Sequence, residues 1–568
     1  MTAATLWHPL HGAPPAPAPA AKAMTLRPYQ RNAVDSIVEQ IKAARSTLAV
    51  MPTGTGKTVV FAHLAGQVSS GRVMVLAHRE ELIDQAADKL AHITGEPVAV
   101  EMAGRWSDEY TEKSRIVVSS IQTQVAGMEG KGRMTRFTPS DFALLIVDEA
   151  HHAPAVSYRK VLDWYKANPD LKIVGVTATP DRADEAALGQ VFDTVAFDYE
   201  INDAIRDGWL VPIMQTVVKV DGLDYSDVRT TAGDLNQGDL AAIMQFESNL
   251  HAIAHPTFEI ANGRKTLVFA TTVAQAERLC EILNRHQNNC ARWLCGKTPT
   301  NDRREIFRDY RRGRFQFLVN VGVATEGFDD PGIEVVSIGR PTKSRALYAQ
   351  MVGRGTRPHP DAGIDGCDAP DGRRALIAAS GKPSLEIIDF AGNAGRHKLM
   401  TTADILGGNY DDEVVELAKR NVEKAAKPSD MADELERAKQ QIIERKRVEA
   451  ERRAHIKATA DYRKSTIDPF GILDIEPQRE RGWHVGRKPT EKQIAVLSQN
   501  GIDTKGLSLG KASQLIGQIF ERRTKGLASF KQLKILNKRN VEGASEMTFQ
   551  QASAAIDAIA KREGWGTR

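Results

Sequence analysis

Short apolar runs rich in β-branched residues, each followed by a stretch of helical pattern, recur along this 568-residue chain and constrain its fold more than any other feature. In a first block, 24–200, the runs are Thr47 to Val50, Val73 to Ala77, Ile116 to Ser119, Leu144 to Val147 and Ile173 to Val176. Each is apolar almost throughout, the pattern of parallel strands covered on both faces. Helical segments between them make βαβ units and predict a doubly wound sheet. A second block, 264–410, repeats the arrangement with Thr266 to Ala270, Phe317 to Val321, Glu334 to Ile338 and Leu385 to Phe390. The predicted fold is α/β: two parallel-sheet lobes in tandem, followed by a helical C-terminal region. The stretch 201–263, which contains Gly208-Trp209-Leu210-Val211-Pro212 and then polar sequence, reads as a connector.

After residue 410 the composition changes. Residues 411–487 read as a charged helical linker, dense in Lys, Arg, Glu and Ala from Asp411 to Lys464. Met431, Leu435, Ala438 and Ile442 form a narrow apolar stripe, too short for a coiled coil, so a solvated linking helix is expected. Residues 488–568 hold an internal repeat in which Lys492-Gln493 matches Lys531-Gln532 and Ala512-Ser513 matches Ala552-Ser553. Each copy reads as helix, loop, helix, and two units too small to bury their own faces should pack on each other. From Arg481 to Arg568 there are 16 Lys+Arg and 7 Asp+Glu, so this end carries +9 while the whole chain carries +4. Residues 1–23 are Ala/Pro-rich around Gly12 to Ala21 and read as a disordered leader.

Some classes are excluded. No apolar run approaches the roughly 20 residues of a membrane span, so no membrane partner is expected. Cys280, Cys290, Cys295 and Cys367 form no C-x-x-C pair, which argues against structural zinc and fits a reducing compartment. A cytoplasmic location is expected, nucleoid-associated in a cell or host cytoplasm for a virus. His151 and His152 lack a third ligand at suitable spacing, so no catalytic metal centre of their own is expected.

Three segments carry chemistry. Met51-Pro52-Thr53-Gly54-Thr55-Gly56-Lys57-Thr58 follows an apolar strand and opens a helical stretch, the context of a phosphate-binding loop. Its backbone N–H groups would cradle phosphates, Lys57 would reach the outer ones, and the Thr58 hydroxyl would ligate Mg²⁺. Next, Leu144 to Val147 delivers Asp148-Glu149-Ala150-His151. Two carboxylates at the end of a buried strand are costly unless they meet a cation or a proton. Asp148 suits the Mg²⁺ shell and Glu149 suits polarising an attacking water. Finally, Gln350-Met351-Val352-Gly353-Arg354-Gly355-Thr356-Arg357 places two arginines in the second block, suited to charge on a γ-phosphate.

In this order the segments resemble the motifs of superfamily 2 helicases, across about Leu26 to Gly395. The resemblance implies two RecA-like lobes, ATP and Mg²⁺ as cofactors, and a nucleic-acid partner. Leu26-Arg27-Pro28-Tyr29-Gln30 resembles the adenine-reading Q-type motif, so Arg27 and Gln30 join the nucleotide set with Thr53, Gly54, Thr55, Gly56, Lys57 and Thr58. Asp148 to His151 is a literal DEAH box, with His151 expected to hydrogen-bond between motifs. Residues resembling motifs Ia, Ib, III, IV and V imply coupling or nucleic-acid roles for Arg79, Gln122, Thr123, Thr177, Thr179, Thr271 and Thr325. Motif V adds Gly327 and Asp329 to the nucleotide set, and motif VI assigns Gln350, Arg354 and Arg357 to catalysis. The stretch Gly175 to Pro180 and the Gly208 to Pro212 connector are most similar to RadD/XPB-type DNA helicases of bacteria and phages, without the cysteine cluster RadD-like proteins usually add.

The resemblance implies an ATP-dependent helicase or translocase on single-stranded or forked DNA, in repair, recombination or replication. An RNA helicase is the alternative of the same class. An ATP-gated scaffold with little turnover, recruiting a protein partner through the C-terminal repeat, is the alternative of another class. Intact Lys57, Glu149, Arg354 and Arg357 argue against the last.

Overall fold

The structure, a computed structural model, describes the chain except residues 1–24, 79, 108–113, 127–131, 179–186, 232, 325–327, 396, 409, 426, 457–468, 474, 476–486, 540 and 564–568. The expected leader, together with Arg79, Thr179, Thr325 and Gly327, lies outside the described residues. The chain divides into two compact units. One comprises Met1–Thr47, Gly56–Asp148 and Val156–Gly175; the other comprises Leu48–Thr55, Glu149–Ala155 and Val176–Arg568.

The first seven-stranded sheet contains β1 (Ser46–Val50), β2 (Arg72–Ala77), β3 (Val98–Glu101), β4 (Ile116–Ser120), β5 (Phe142–Asp148), β6 (Lys172–Thr177) and β7 (Thr194–Asp198). Its order is β3-β4-β2-β5-β6-β1-β7. The pairs β3–β4, β4–β2 and β2–β5 are parallel. All residues of β1 and β4 are buried, as the unbroken apolar runs require.

The second seven-stranded sheet contains β8 (Ile213–Asp224), β11 (Thr266–Ala270), β12 (Ala291–Cys295), β13 (Phe317–Val321), β14 (Val335–Gly339), β15 (Leu385–Asn393) and β16 (Ser429–Asp430). Its order is β12-β13-β11-β14-β15-β8-β16, parallel except for the antiparallel pairing of β16 with β8. Between β8 and β11 a small ribbon pairs β9 (Thr230–Thr231) with β10 (Asp234–Leu235). The fold is therefore α/β with two tandem RecA-like parallel-sheet lobes and helices beyond them.

Two expectations need correction. The stretch 201–263 is not simply a connector: β8 pairs with β15 from Leu385↔Ile213 onward, and the helix Glu247–Ala261 packs into the same core. Buried, half-exposed and exposed residues are interspersed along β8, so it lacks the apolar run that reveals an interior strand. Nor is the stripe on residues 431–442 solvated. Met431, Leu435, Ala438 and Ile442 are all buried, and their helix, Met431–Ile456, packs on the helix Asp412–Lys424. Burying each large side chain contributes about 1.5–3 kcal/mol, which fastens this helix to the second lobe.

The C-terminal repeat folds as two helical hairpins, Glu491–Gln499 with Leu509–Thr524 and Phe530–Asn537 with Phe549–Glu563. The copies start alike: Thr490 and Ser529 form capping boxes with Gln493 and Gln532. Each glutamine then donates to the serine of the following helix, Ser513 or Ser553, at 2.8 Å. Leu497, Leu515, Leu533 and Leu536 share one core with Phe470 and Leu473 of the helix Pro469–Leu473, so this core recruits residues that precede the repeat.

Candidate nucleotide site and nucleic-acid edge

The carboxyl ends of parallel strands are where open α/β sheets place ligand chemistry. β1 runs into the loop 51–56, and the helix Lys57–Gln67 starts directly after it. Gly54 and Gly56 adopt φ of +93° and +80°, left-handed values that turn successive peptides inward. A Cβ on Gly56 would come within 2.6 Å of Gln30 Nε2, so a larger residue would displace that amide, and the left-handed φ would strain it in any case. The Thr55 hydroxyl donates to the Pro52 carbonyl at 2.8 Å and braces the turn. Met51 N–H donates to Thr177 O at 2.8 Å, tying the loop's start to the end of β6. Lys57 and Thr58 occupy the first turn of the helix, where its N-terminal N–H groups and dipole favour an anion. This arrangement fits polyphosphate.

Gln30 is buried in the helix Pro28–Ala43. Its Oε1 accepts from Arg27 N–H at 3.0 Å, closing a capping box, while its amide nitrogen lies toward Gly56. Arg27 and Gln30 are thereby held together beside the loop.

β5 ends at Asp148, and Glu149 follows with φ +47°, a left-handed conformation rare outside glycine and asparagine. Such strain persists only where surrounding structure imposes it. Both carboxylates are buried. His151 Nδ1 lies 3.4 Å from Glu149 Oε2 and 3.1 Å from Thr177 Oγ1, so the structure brings Glu149, His151 and Thr177 together at the ends of β5 and β6.

Along the same edge of the first sheet, the exposed Gln122 contacts His78 at 3.0 Å, Nε2 to Nδ1. Thr123 is turned inward: its hydroxyl accepts from Ser120 Oγ at 2.6 Å and from Ala103 N–H at 3.1 Å. Of that expected pair only Gln122 presents its side chain to solvent, because Ser120 caps the helix Ile121–Val125 and holds Thr123 beneath it.

In the second lobe, Thr271 follows β11 and is buried, its N–H donating to Gln275 Oε1 at 2.7 Å. Gln350 is buried within the helix Arg345–Gly353. Arg354 Nη1 donates to the Phe328 carbonyl at 2.8 Å, and Arg357 is ion-paired with Asp329. These contacts join the segments around 328–331 and 353–357.

Lys382 completes that junction and has no local signal, since Ser380-Gly381-Lys382-Pro383 reads as an ordinary surface turn. Its side chain is buried, and Nζ donates to the Arg357 carbonyl at 2.7 Å and the Pro331 carbonyl at 2.9 Å. Burial pushes its pKa down to about 7 against the attraction of Asp330 and Glu334. Between about pH 7 and the unperturbed value near 10.4 the unfolded chain therefore holds more protons than the folded one, and stability rises with pH across that window. Lys382→Met should remove this slope, so wild type should gain on the variant by a few kcal/mol as pH rises from 7 to 10. At high pH, where the lysine is neutral in both folded and unfolded chains, the variant should also be less stable than wild type by about 1–3 kcal/mol for each carbonyl left without a donor. Urea unfolding of both proteins at pH 7 and 9 checks this; parallel pH dependences would remove Lys382 from the account.

Residues 23–182 match the family described as type III restriction enzyme, res subunit, and residues 247–359 match the helicase conserved C-terminal domain. The chain is 32% identical over 408 residues to "Putative ATP-dependent helicase IRC3" of Saccharomyces cerevisiae, covering 69% of this chain and 55% of that protein. It is 26% identical over 346 residues to the DNA 3'-5' helicase XPB of Mycobacterium tuberculosis, covering 60% and 59%. A third relative, the type I restriction enzyme EcoAI endonuclease subunit of Escherichia coli, is 24% identical over 363 residues, covering 58% and 44%. The chain thus spans about half of each relative's own length.

Proposed function

The chain belongs to the superfamily 2 helicases, and on that premise we propose that it is a nucleic-acid-dependent ATPase that moves along or unwinds DNA. The observation that carries the reading is the pairing, on one sheet edge, of a two-glycine phosphate loop with a buried Asp148-Glu149 end. In this reading the loop amides and Lys57 bind the phosphates of ATP. Thr58 and Asp148 would hold Mg²⁺, which would supply charge neutralisation for the phosphates. Glu149 accepts a proton from the attacking water, and His151 links it to Thr177. Arg354 and Arg357 belong to the second lobe and stabilise charge on the γ-phosphate. Exposed side chains at the strand ends, Gln122 among them, grip the nucleic-acid backbone, which carries no sequence information by itself.

DNA is the proposed track, supported by the similarity to a protein named as a DNA helicase, and repair, recombination or replication is the proposed setting. ATPase rates measured side by side with single-stranded DNA, forked DNA, duplex DNA and RNA test it. Stronger stimulation by DNA is expected; equal or stronger stimulation by RNA would move the assignment to RNA.

The basic C-terminal hairpins are proposed as a sequence-independent DNA anchor, with Lys492, Lys531, Lys534, Lys538 and Arg539 among the cations. Because Phe470 and Leu473 belong to their core, a clean deletion starts before Pro469. The truncated protein should bind DNA more weakly, and its plot of log affinity against log salt should flatten by about 0.7–0.9 for every phosphate that the hairpins neutralise in the full chain. An unchanged affinity and slope would make the hairpins a protein-docking module.

A further inference from the structure

One aromatic on the first sheet's edge is not absorbed by the nucleotide site. β3 ends at Glu101, and a tight turn follows, with Met102 and Arg105 exchanging backbone hydrogen bonds at 3.0 and 2.7 Å. The turn presents Trp106 with 38% of its surface exposed. An indole normally buries, so one left open outside a core asks for an explanation.

The surroundings hold it rigidly. Arg133 lies over the ring at 3.4 Å from guanidinium carbon to centroid, and Arg136 lies at 4.4 Å. Both arginines are anchored from beneath by the fully buried Glu101, at 3.0 and 3.5 Å. The same carboxylate accepts from Ser107 N–H at 2.9 Å, which fixes the backbone directly after the tryptophan. Arg133 also donates to the Ala103 carbonyl at 2.7 Å, and Ala103 N–H donates to Thr123 Oγ1. The indole is therefore tied to the helix that presents Gln122.

Position supplies the partner. His78 follows β2, Gln122 follows β4, and Trp106 follows β3; these are adjacent parallel strands, with β3 at the sheet's edge. Neighbouring strands are about 4.8 Å apart, so these side chains mark a track of about 10 Å, a step of one or two nucleotides. We propose that Trp106, backed by Arg133 and Arg136, is a stacking platform for a base of a nucleic-acid single strand where that strand leaves the edge of the first sheet. Guanidinium groups on the ring suit the nearby phosphates, and an indole face accepts any base. The proposal rests on the nucleic-acid reading above and adds a base contact to a backbone track.

Binding of fluorescein-labelled oligo(dT) to the full chain without nucleotide, across a salt series, tests it. Trp106→Ala should weaken binding about 5- to 100-fold, the effect of removing one stacked base. Trp106→Phe should restore most of the affinity. The salt slope should stay unchanged, because stacking releases no counterions. Blunt duplex, whose bases are already stacked, should lose less. Oligo(dT) should also quench tryptophan emission in wild type by an amount missing in Trp106→Phe, a readout independent of whether the alanine variant folds. Wild-type affinity in both variants with undiminished quenching, a slope reduced by about one, or equal losses on single strand and blunt duplex would overturn the assignment. A wild-type protein whose ATPase answers to no nucleic acid would instead overturn the helicase reading itself.

Discussion

Glu149→Gln should lower ATP turnover by about two to four orders of magnitude while leaving nucleotide affinity within a few-fold of wild type. The glutamine keeps the size and can keep a contact with His151, so the left-handed turn at φ +47° and the His151–Thr177 link should survive. What disappears is the acceptor for the water's proton. Lys57, the loop glycines and the start of the helix Lys57–Gln67, the groups proposed to bind the nucleotide, are untouched. The measurement is steady-state turnover with saturating DNA, beside titration with a fluorescent ATP analogue. Turnover within about tenfold of wild type would be too fast for a missing general base and would remove Glu149 from the mechanism.

Arg357→Ala should cut the maximal rate by about a thousandfold and raise the KM for ATP far less, since an arginine finger acts on charge that develops in the transition state. The two arginines are held differently. Arg354 donates to a main-chain carbonyl, Phe328 O, so its loss should disturb the segment before Asp329 as well as catalysis. Arg357 pairs with the carboxylate of Asp329, and both side chains are partly exposed. Its backbone stays fixed by Lys382 when the side chain is shortened. Arg357→Lys should recover little, because an ammonium lacks the planar fork that meets two phosphate oxygens. Steady-state and single-turnover kinetics separate the possibilities. A raised KM with an unchanged maximal rate would mean that Arg357 binds the ground state only, and the finger role would pass to another residue.

The glycine loop, the acid pair and the arginine segment stand out in the sequence because the chemistry proposed for them is local. A loop that offers its amides to phosphate needs glycines, a strand before it and a helix after it, all within a dozen residues. Strands buried on both faces leave unbroken apolar runs, which is why β1, β2, β4, β5 and β6 and four strands of the second sheet stand out in the chain. β8 did not stand out, because buried, half-exposed and exposed residues are interspersed along it, and its partner strand β15 lies far away in sequence. The helix Met431–Ile456 misled for a related reason. Its four-residue stripe is too narrow to mark a buried helix, and only folding shows that it is pressed against the helix Asp412–Lys424, the helix Thr402–Leu406 and β8.

By itself, then, the sequence determined the α/β class and the order of the two lobes, and it singled out the segments proposed to handle nucleotide, since each depends on neighbours along the chain. Tertiary structure alone decided that Lys382 clasps the carbonyl of Arg357 across 25 residues, that Glu101 anchors Arg133 and Arg136 under Trp106, and that Thr123 faces inward while Gln122 faces out. A buried charge or an exposed ring takes its meaning from what surrounds it in space. Chain segments brought together only by folding leave no periodicity in either of them.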